Sequence, residues 1–442
     1  MNPKLVFDAD ALSLRVCETN KFKAGLLSVS AALPIDRKKA PLITLLLAVL
    51  RRGTVKYPTL ELLNRRLDYL WGADLSIRNF YRGDCQILGF TVELLDSAFL
   101  PCTEEDPLTA VLDAVCQILF HPLLDENGCL SQKYVESEKK FQCESIRSLK
   151  NNPRSYAVER FSELLFCNDA CGAPMWGVEE EIMAVTAEDL TALWRELISS
   201  LSFSCFYVGA ETPEALTRAL LGTLGAELER RDRKTDVARG EVVKAVAALP
   251  SPAMHTEEIE AGQSHLLLGF TTDATASTPD FYACAVFNEL LGASPTSRLF
   301  LNVREKLSLC YHCASAYNSF KGTLTVHCGL HRDNRARAEE EILSQLAQII
   351  AGDFGEEELT SAKRSLVSVY RQTEDNPAST ESFYFRRALA NREETLEDAI
   401  AIINAVTKED VTAAAKRLSL HTVYFLEGTL ANAEEEDTDE YD

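Results

Sequence analysis

The chain has 442 residues, 46% of them hydrophobic and 25% charged, an ordinary globular composition that is too long for one core and predicts two or more domains. Its 67 acidic against 45 basic residues give a formal charge of −22, which argues against nucleic acid as a partner, because phosphate backbones are held through clustered Lys and Arg. Thirteen cysteines, an odd number without regular spacing, read as reduced thiols, many of them buried as small hydrophobes.

In chain order, the opening MNPKLVFDADALSLRV has no basic stretch followed by an apolar one, so no secretory signal is expected and the protein is read as cytoplasmic. KAGLLSVSAALPI, from Lys23, alternates as a strand does. The most apolar run, PLITLLLAVL at 41–50, is about half a membrane span and is closed by Arg51 and Arg52, so no membrane association is expected. ADLSIRNFYRG and CQILGFTVELLD form a strand pair, and amphipathic helices follow. Cys167 and Cys171, in CNDAC, lack any thioredoxin-like context and read as structural thiols. At Thr186 and Asp189 a capping-box pattern starts a helix that leads into the apolar, aromatic-rich strand LSFSCFYVGA.

The same grammar then repeats. SHLLLGFTT reads as an opening strand, SLCYHCASAYN and TLTVHCGLH as a strand pair, and RARAEEEILSQLAQIIAG and EEELTSAKRSLVSVYRQ as amphipathic helices. Thr407 and Asp410 repeat the capping box 221 residues after Thr186, again before a closing strand. NNPRSYAVERF and DNPASTESFYF each restart a helix after an Asn-Pro break. The expected fold is therefore α+β, two homologous halves that each pack helices on a largely antiparallel sheet. The boundaries read as 1–226 for the first half, 227–252 for a charged, then Ala- and Pro-containing linker, and 253–432 for the second half. The tail 433–442, with seven acidic residues in the nine from Glu434, reads as disordered.

Cys310, Cys313, His327 and His331 have the spacing of a two-Cys, two-His zinc finger. Such a finger needs its histidines one turn apart on a helix, whereas TLTVHCGLH alternates as a strand and carries Gly329 between them. The four are expected to be residues of two strands rather than ligands, and no metal or cofactor is expected in this chain.

ELLGASPTSRLFLNVREKLSLCY, residues 289–311, resembles the second-half signature of the insulinase or pitrilysin family of zinc metallopeptidases, which includes the mitochondrial processing peptidases. In that pattern a Gly-containing loop leads to a Ser-Arg-Leu-Phe helix start, then to an Arg and, seven residues later, a Tyr. Arg304 and Tyr311 fall on those positions. The resemblance implies that both bind the substrate backbone and the oxygen that becomes negative when water attacks a peptide carbonyl. It also implies a His-x-x-Glu-His zinc motif on the first helix of the first half. Registered on Gly53 and Thr54, the histidine positions are Thr44 and Ala48, the base position is Leu47, and the third-ligand position on a later helix is Ser145, beside Glu144. None of the chain's seven histidines lies in such a motif.

Losing the zinc residues while keeping Arg and Tyr resembles the non-catalytic subunit of a heterodimer. The implied partner is a half-size homologue with an intact zinc motif, the zinc sits in that partner, and the substrate is a peptide in a shared proteolytic chamber. The alternative is a peptide-binding or structural scaffold protein with no peptidase role.

Overall fold

In the computed structural model, residues 3–9, 11–100, 105–231 and 241–430 are described. The acidic tail and residues 232–240 of the linker lie outside them. Eleven strands form two sheets among the described residues. The first sheet contains β1 (Lys4–Ala9), β2 (Leu12–Glu18), β3 (Ala24–Pro34), β4 (Asp74–Arg82), β5 (Cys85–Leu95) and β6 (Phe203–Gly209), in the order β1-β2-β6-β3-β5-β4. The second contains β7 (Ala253–Ile259), β8 (Ser264–Thr271), β9 (Cys310–Asn318), β10 (Thr323–Leu330) and β11 (Ser419–Gly428), in the order β7-β11-β8-β10-β9.

Counted from the β4 and β9 edges, the two orders are the same, with β1 an extra strand, so the repeat in the sequence is a repeat in topology. The strands predicted from alternation all form. β2 and β7 were not predicted; each runs parallel to the closing strand of its sheet, β6 or β11. Their pairing joins segments far apart in the chain, and a parallel partner leaves no local turn signal to read. Every other neighbouring pair is antiparallel.

Local chemistry explains the helix starts. Thr186 and Thr407 each accept from the backbone N–H of Asp189 or Asp410, whose carboxylate bonds back to the threonine N–H, so both capping boxes close. Asn152 and Asn376 cap the helices Pro153–Leu165 and Pro377–Leu389, accepting from Ser155 N and Ser379 N.

These two Asn-Pro helices are exchanged between the halves. One compact unit comprises Met1–Arg147, Ala173–Val242 and Tyr370–Leu396; the other comprises Ser148–Gly172, Val243–Val369 and Glu397–Asp442. Pro153–Leu165, from the first half of the sequence, covers the second sheet. A Cβ on Gly269 of β8 would stand 2.7 Å from Phe161 Cζ and 2.9 Å from Leu165 Cδ1, so glycine there is a fit to this helix. At its outer side Arg160 Nε donates to Glu257 Oε1 at 2.7 Å, and Tyr156 and Tyr424 donate to Glu257 Oε2 at 3.1 and 3.2 Å.

Pro377–Leu389, from the second half, covers the first sheet. Tyr384 stacks on Phe206 of β6, and buried Glu381 accepts from Ser28 Oγ at 2.7 Å and pairs with Arg78 Nη1 at 3.0 Å.

The apolar run 41–50 lies within the helix Ala40–Arg52, where Ile43, Leu45, Leu46, Leu47, Val49 and Leu50 are buried in the core of its unit. No helix among the described residues is long and apolar enough to cross a membrane. In the segment read as a linker, Lys244 N and Val246 N donate to Phe320 O and Lys321 O, both at 2.9 Å.

Candidate functional site

The first-helix positions are filled by packing and by a neutral hydrogen-bond network. Leu47 is 3% exposed in the core and Ala48 is half-buried. Thr44 Oγ1 donates toward Met175 O (2.9 Å) and Ala40 O (3.2 Å) and accepts from Asn79 Nδ2 at 2.8 Å. Asn79 Oδ1 in turn accepts from Gln86 Nε2 at 2.7 Å.

On the helix Gln132–Ser148, Ser145 and Glu144 are exposed, and Ser145 Oγ donates to Phe141 O of its own helix at 3.0 Å. Two residues of that helix reach the first helix: Glu138, which accepts from Arg52 Nη1 at 2.8 Å, and buried Gln142, whose Nε2 donates to Trp176 O at 2.7 Å and Pro41 O at 3.3 Å. Gln142 was not singled out from the sequence. Its signal was a polar residue on the buried stripe that also carries Val135, Lys139 and Cys143.

A zinc ion does not fit this donor set. Thr44, Leu47 and Ala48 offer one neutral hydroxyl, already committed to three partners, and neither an imidazole nor a carboxylate. Burying leucine instead of a charged base also removes the cost of desolvating an unpaired carboxylate.

Arg304 and Tyr311 are arranged differently. Arg304 lies in Leu299–Lys306, a π-helical stretch held by buried Leu299 and Val303; helices of this kind are rare and recur at functional sites. Arg298, the arginine of the Ser-Arg-Leu-Phe helix start, clamps the helix: Nε donates to Glu358 Oε1 (2.8 Å), Nη1 to Gln348 Oε1 (3.0 Å) and Nη2 to Asp353 O (2.6 Å). The helix ends through Ser308, at φ 49°, whose N–H returns to Arg304 O at 3.1 Å; this left-handed residue turns the chain into β9. The Arg304 side chain is 42% exposed and its guanidinium stands 4.7 Å over the Phe300 ring.

Tyr311 is 60% exposed and is the extra residue of a β-bulge. Opposite it, Gly329 faces His312 and Leu330 faces Cys310, so Tyr311 has no counterpart on β10. β9 is the last strand of its sheet.

The finger-like residues separate onto two faces. Neighbours in a strand alternate, so Cys313 and Cys328, which are cross-strand partners, share one face while His312 and His327 share the other. On the histidine face, under Pro153–Leu165, His265 Nδ1 lies 3.1 Å from His327 Nε2, and Arg154 Nη2 lies 3.2 Å from His312 Nε2. Burial first, and then the Arg154 charge and the neighbouring imidazoles, push His265 down to about 4 and His327 to about 3, so both rings are neutral near pH 7.

On the other face the Sγ atoms of Cys310, Cys313 and Cys328 lie within 4.8 Å of one another. Hydrogen bonds from Cys313 and Cys328 hold the Cys310 thiol below its ordinary value, and the charges of His312 and Arg304 act the same way. His331, beyond the end of β10, accepts from Asp333 N at 3.4 Å. Cys167 is exposed and Cys171 half-buried.

Residues 184–366 match a family model described as the Peptidase M16 inactive domain. Over 419 residues, 95% of this chain and 96% of the relative, the sequence is 29% identical to the "Probable inactive metalloprotease YmfF" of Bacillus subtilis. It is 25% identical over 314 residues, 70% of this chain and 72% of the relative, to the "Uncharacterized zinc protease YmxG" of the same organism. Among solved structures, a conserved protein from Enterococcus faecalis superposes with a TM-score of 0.88 at 25% identity, covering 98% of this chain and 100% of that one. A peptidase M16 inactive domain from Pseudomonas fluorescens superposes at 0.78 with 17% identity over 98% and 100% of the two chains, a likeness of fold.

Proposed function

We propose that this chain, a non-catalytic homologue of the insulinase and pitrilysin type of zinc metallopeptidases (the M16 peptidases) that lacks their His-x-x-Glu-His motif, is the pseudo-peptidase subunit of a cytoplasmic heterodimer. Its partner is a half-size homologue with an intact zinc motif. This chain contributes Arg304 and Tyr311 to the partner's active site and part of the wall that selects the peptide.

The observation that carries this reading is an asymmetry. On the first helix Leu47 packs in the core and Thr44 in a neutral network, while Arg304 and Tyr311 stay exposed on elements that are themselves fixed by the Arg298 clamp and the bulge. An exposed tyrosine at a bulge adds little to stability, so its place there supports a role toward a ligand. Chemically, a guanidinium and a phenol O–H on rigid supports are donors suited to a peptide carbonyl, and to the negative charge that develops on its oxygen. Zinc held by the partner supplies the activated water. The relatives in Bacillus subtilis add support, since that one organism holds both an inactive metalloprotease and a zinc protease similar to this chain.

The test is reconstitution. The chain alone is expected to cleave nothing in a mixed peptide library, and the complex with a zinc-motif homologue from the same source to be active. Arg304→Ala and Tyr311→Phe should each lower kcat/KM of the complex by about 10²-fold, the usual cost of one oxyanion donor. Unchanged activity in both variants overturns the proposal. Peptide binding by the chain without any cleavage by the complex favours a scaffold instead, for which the edge strand β9 is a ready template.

A further inference from the structure

We infer that Cys310, Cys313 and Cys328 form a site for a thiophilic d10 metal ion, Zn(II) or Cu(I), independent of the zinc position that this lineage has lost. The three sulfurs come from two strands, and their convergence depends on a backbone irregularity. In a regular strand residues 310 and 313 would point to opposite faces. The bulge at Tyr311 shifts the alternation by one, so that Cys310 faces Leu330 and shares the face of Cys313 and its partner Cys328.

The resulting triangle has every Sγ–Sγ distance within 4.8 Å. Around an ion with metal–sulfur bonds of about 2.3 Å, ligand sulfurs stand roughly 4 Å apart, so a small inward rotation of the thiols closes the site. Cys313 and Cys328 are 3% and 0% exposed and form the floor, whereas Cys310 is half-buried and leaves an entrance. Thiolate donors select soft d10 ions over magnesium or calcium. Each thiol that binds releases its proton to solvent. The histidines of the finger-like spacing take no part, because His327 lies on the opposite face. Since Tyr311 is the bulged residue between two ligands, a bound ion would also pin the strand that presents it.

The test uses the full chain, metal-stripped and fully reduced under anaerobic conditions. It is titrated with Zn(II) against a chromogenic chelator and, separately, with Cu(I) against a Cu(I)-specific one. Expected are one equivalent bound per chain and, when the ion is present, protection of the half-buried Cys310 from a thiol reagent, read by peptide mass mapping. Binding should be at least about 100-fold weaker in Cys310→Ser, since losing even an outer-shell partner costs ~10–100-fold. The Cys167→Ser/Cys171→Ser variant should bind as the parent does. Whichever ion binds more tightly identifies the occupant. Thiol protection needs no variant, so a folding defect in Cys310→Ser does not remove the test. No uptake of either ion, uptake without protection of Cys310, or uptake unchanged in a folded Cys310→Ser protein would each overturn the site.

Discussion

The helix Ala40–Arg52 and the strand β9 hold the two motif positions of the repeated halves, and the chain treats them in opposite ways. In the first, Leu47 is 3% exposed and the Thr44 hydroxyl is used up by backbone and amide partners. In the second, Tyr311 is 60% exposed and the Arg304 side chain 42% exposed, on a helix and strand secured by residues other than themselves. The first set of positions is filled by groups that stabilise the fold. Arg304 and Tyr311 stand where the fold gains least from them. Burial therefore separates the positions that the fold uses from the pair assigned above to a proposed partner's site.

The comparison can be broken most severely from the buried side. Leu47→Glu places an unpaired carboxylate in the core and should cost about 3–5 kcal/mol in urea unfolding. Tyr311→Phe should change stability by less than about 0.5 kcal/mol while disabling the reconstituted complex. Equal costs for the two would remove the distinction.

The exchanged helices sharpen it next. Glu381→Ala strands the Arg78 guanidinium, which is 11% exposed, and should cost about 3 kcal/mol. Arg160→Ala breaks a pair in which Arg160 is 37% and Glu257 29% exposed, and should cost no more than about 1 kcal/mol.

The smallest expected effect is a pH dependence. Burial pushes the Glu257 carboxyl up, but hydrogen bonds and charge from Arg160 and hydrogen bonds from Tyr156 and Tyr424 outweigh it and hold the group below its ordinary 4.5. Its folded value being depressed, its contribution is full above that ordinary value and is lost as pH falls through the folded one. Stability measured from neutral to acid pH should therefore decline less steeply in Arg160→Ala than in the parent; identical slopes would remove Glu257 from the account.

Much of the fold was legible because its signals are local. The Thr186–Asp189 and Thr407–Asp410 boxes, the two Asn-Pro starts and the alternation of β3, β5, β8 and β10 are each complete within a dozen residues. Which sheet an Asn-Pro helix covers was not legible, since Phe161 and Leu165 mark an apolar face without naming the strand it meets. At the candidate site, Arg304 and Tyr311 could be found by spacing, but the clamping role of Arg298 and the contacts of Gln142 could not, because their partners Glu358 and Trp176 are distant in the chain.

The cysteines draw the line most clearly. By itself the sequence determined two repeated α+β halves, the loss of the imidazole and carboxylate ligands from the first helix, and the Cys-Tyr-His-Cys spacing. Only the tertiary structure decided that Cys310 belongs with Cys328 and not with His327. A spacing fixes how far apart two side chains are along a strand, whereas the bulge, set by pairing with β10, fixes the face on which each one emerges.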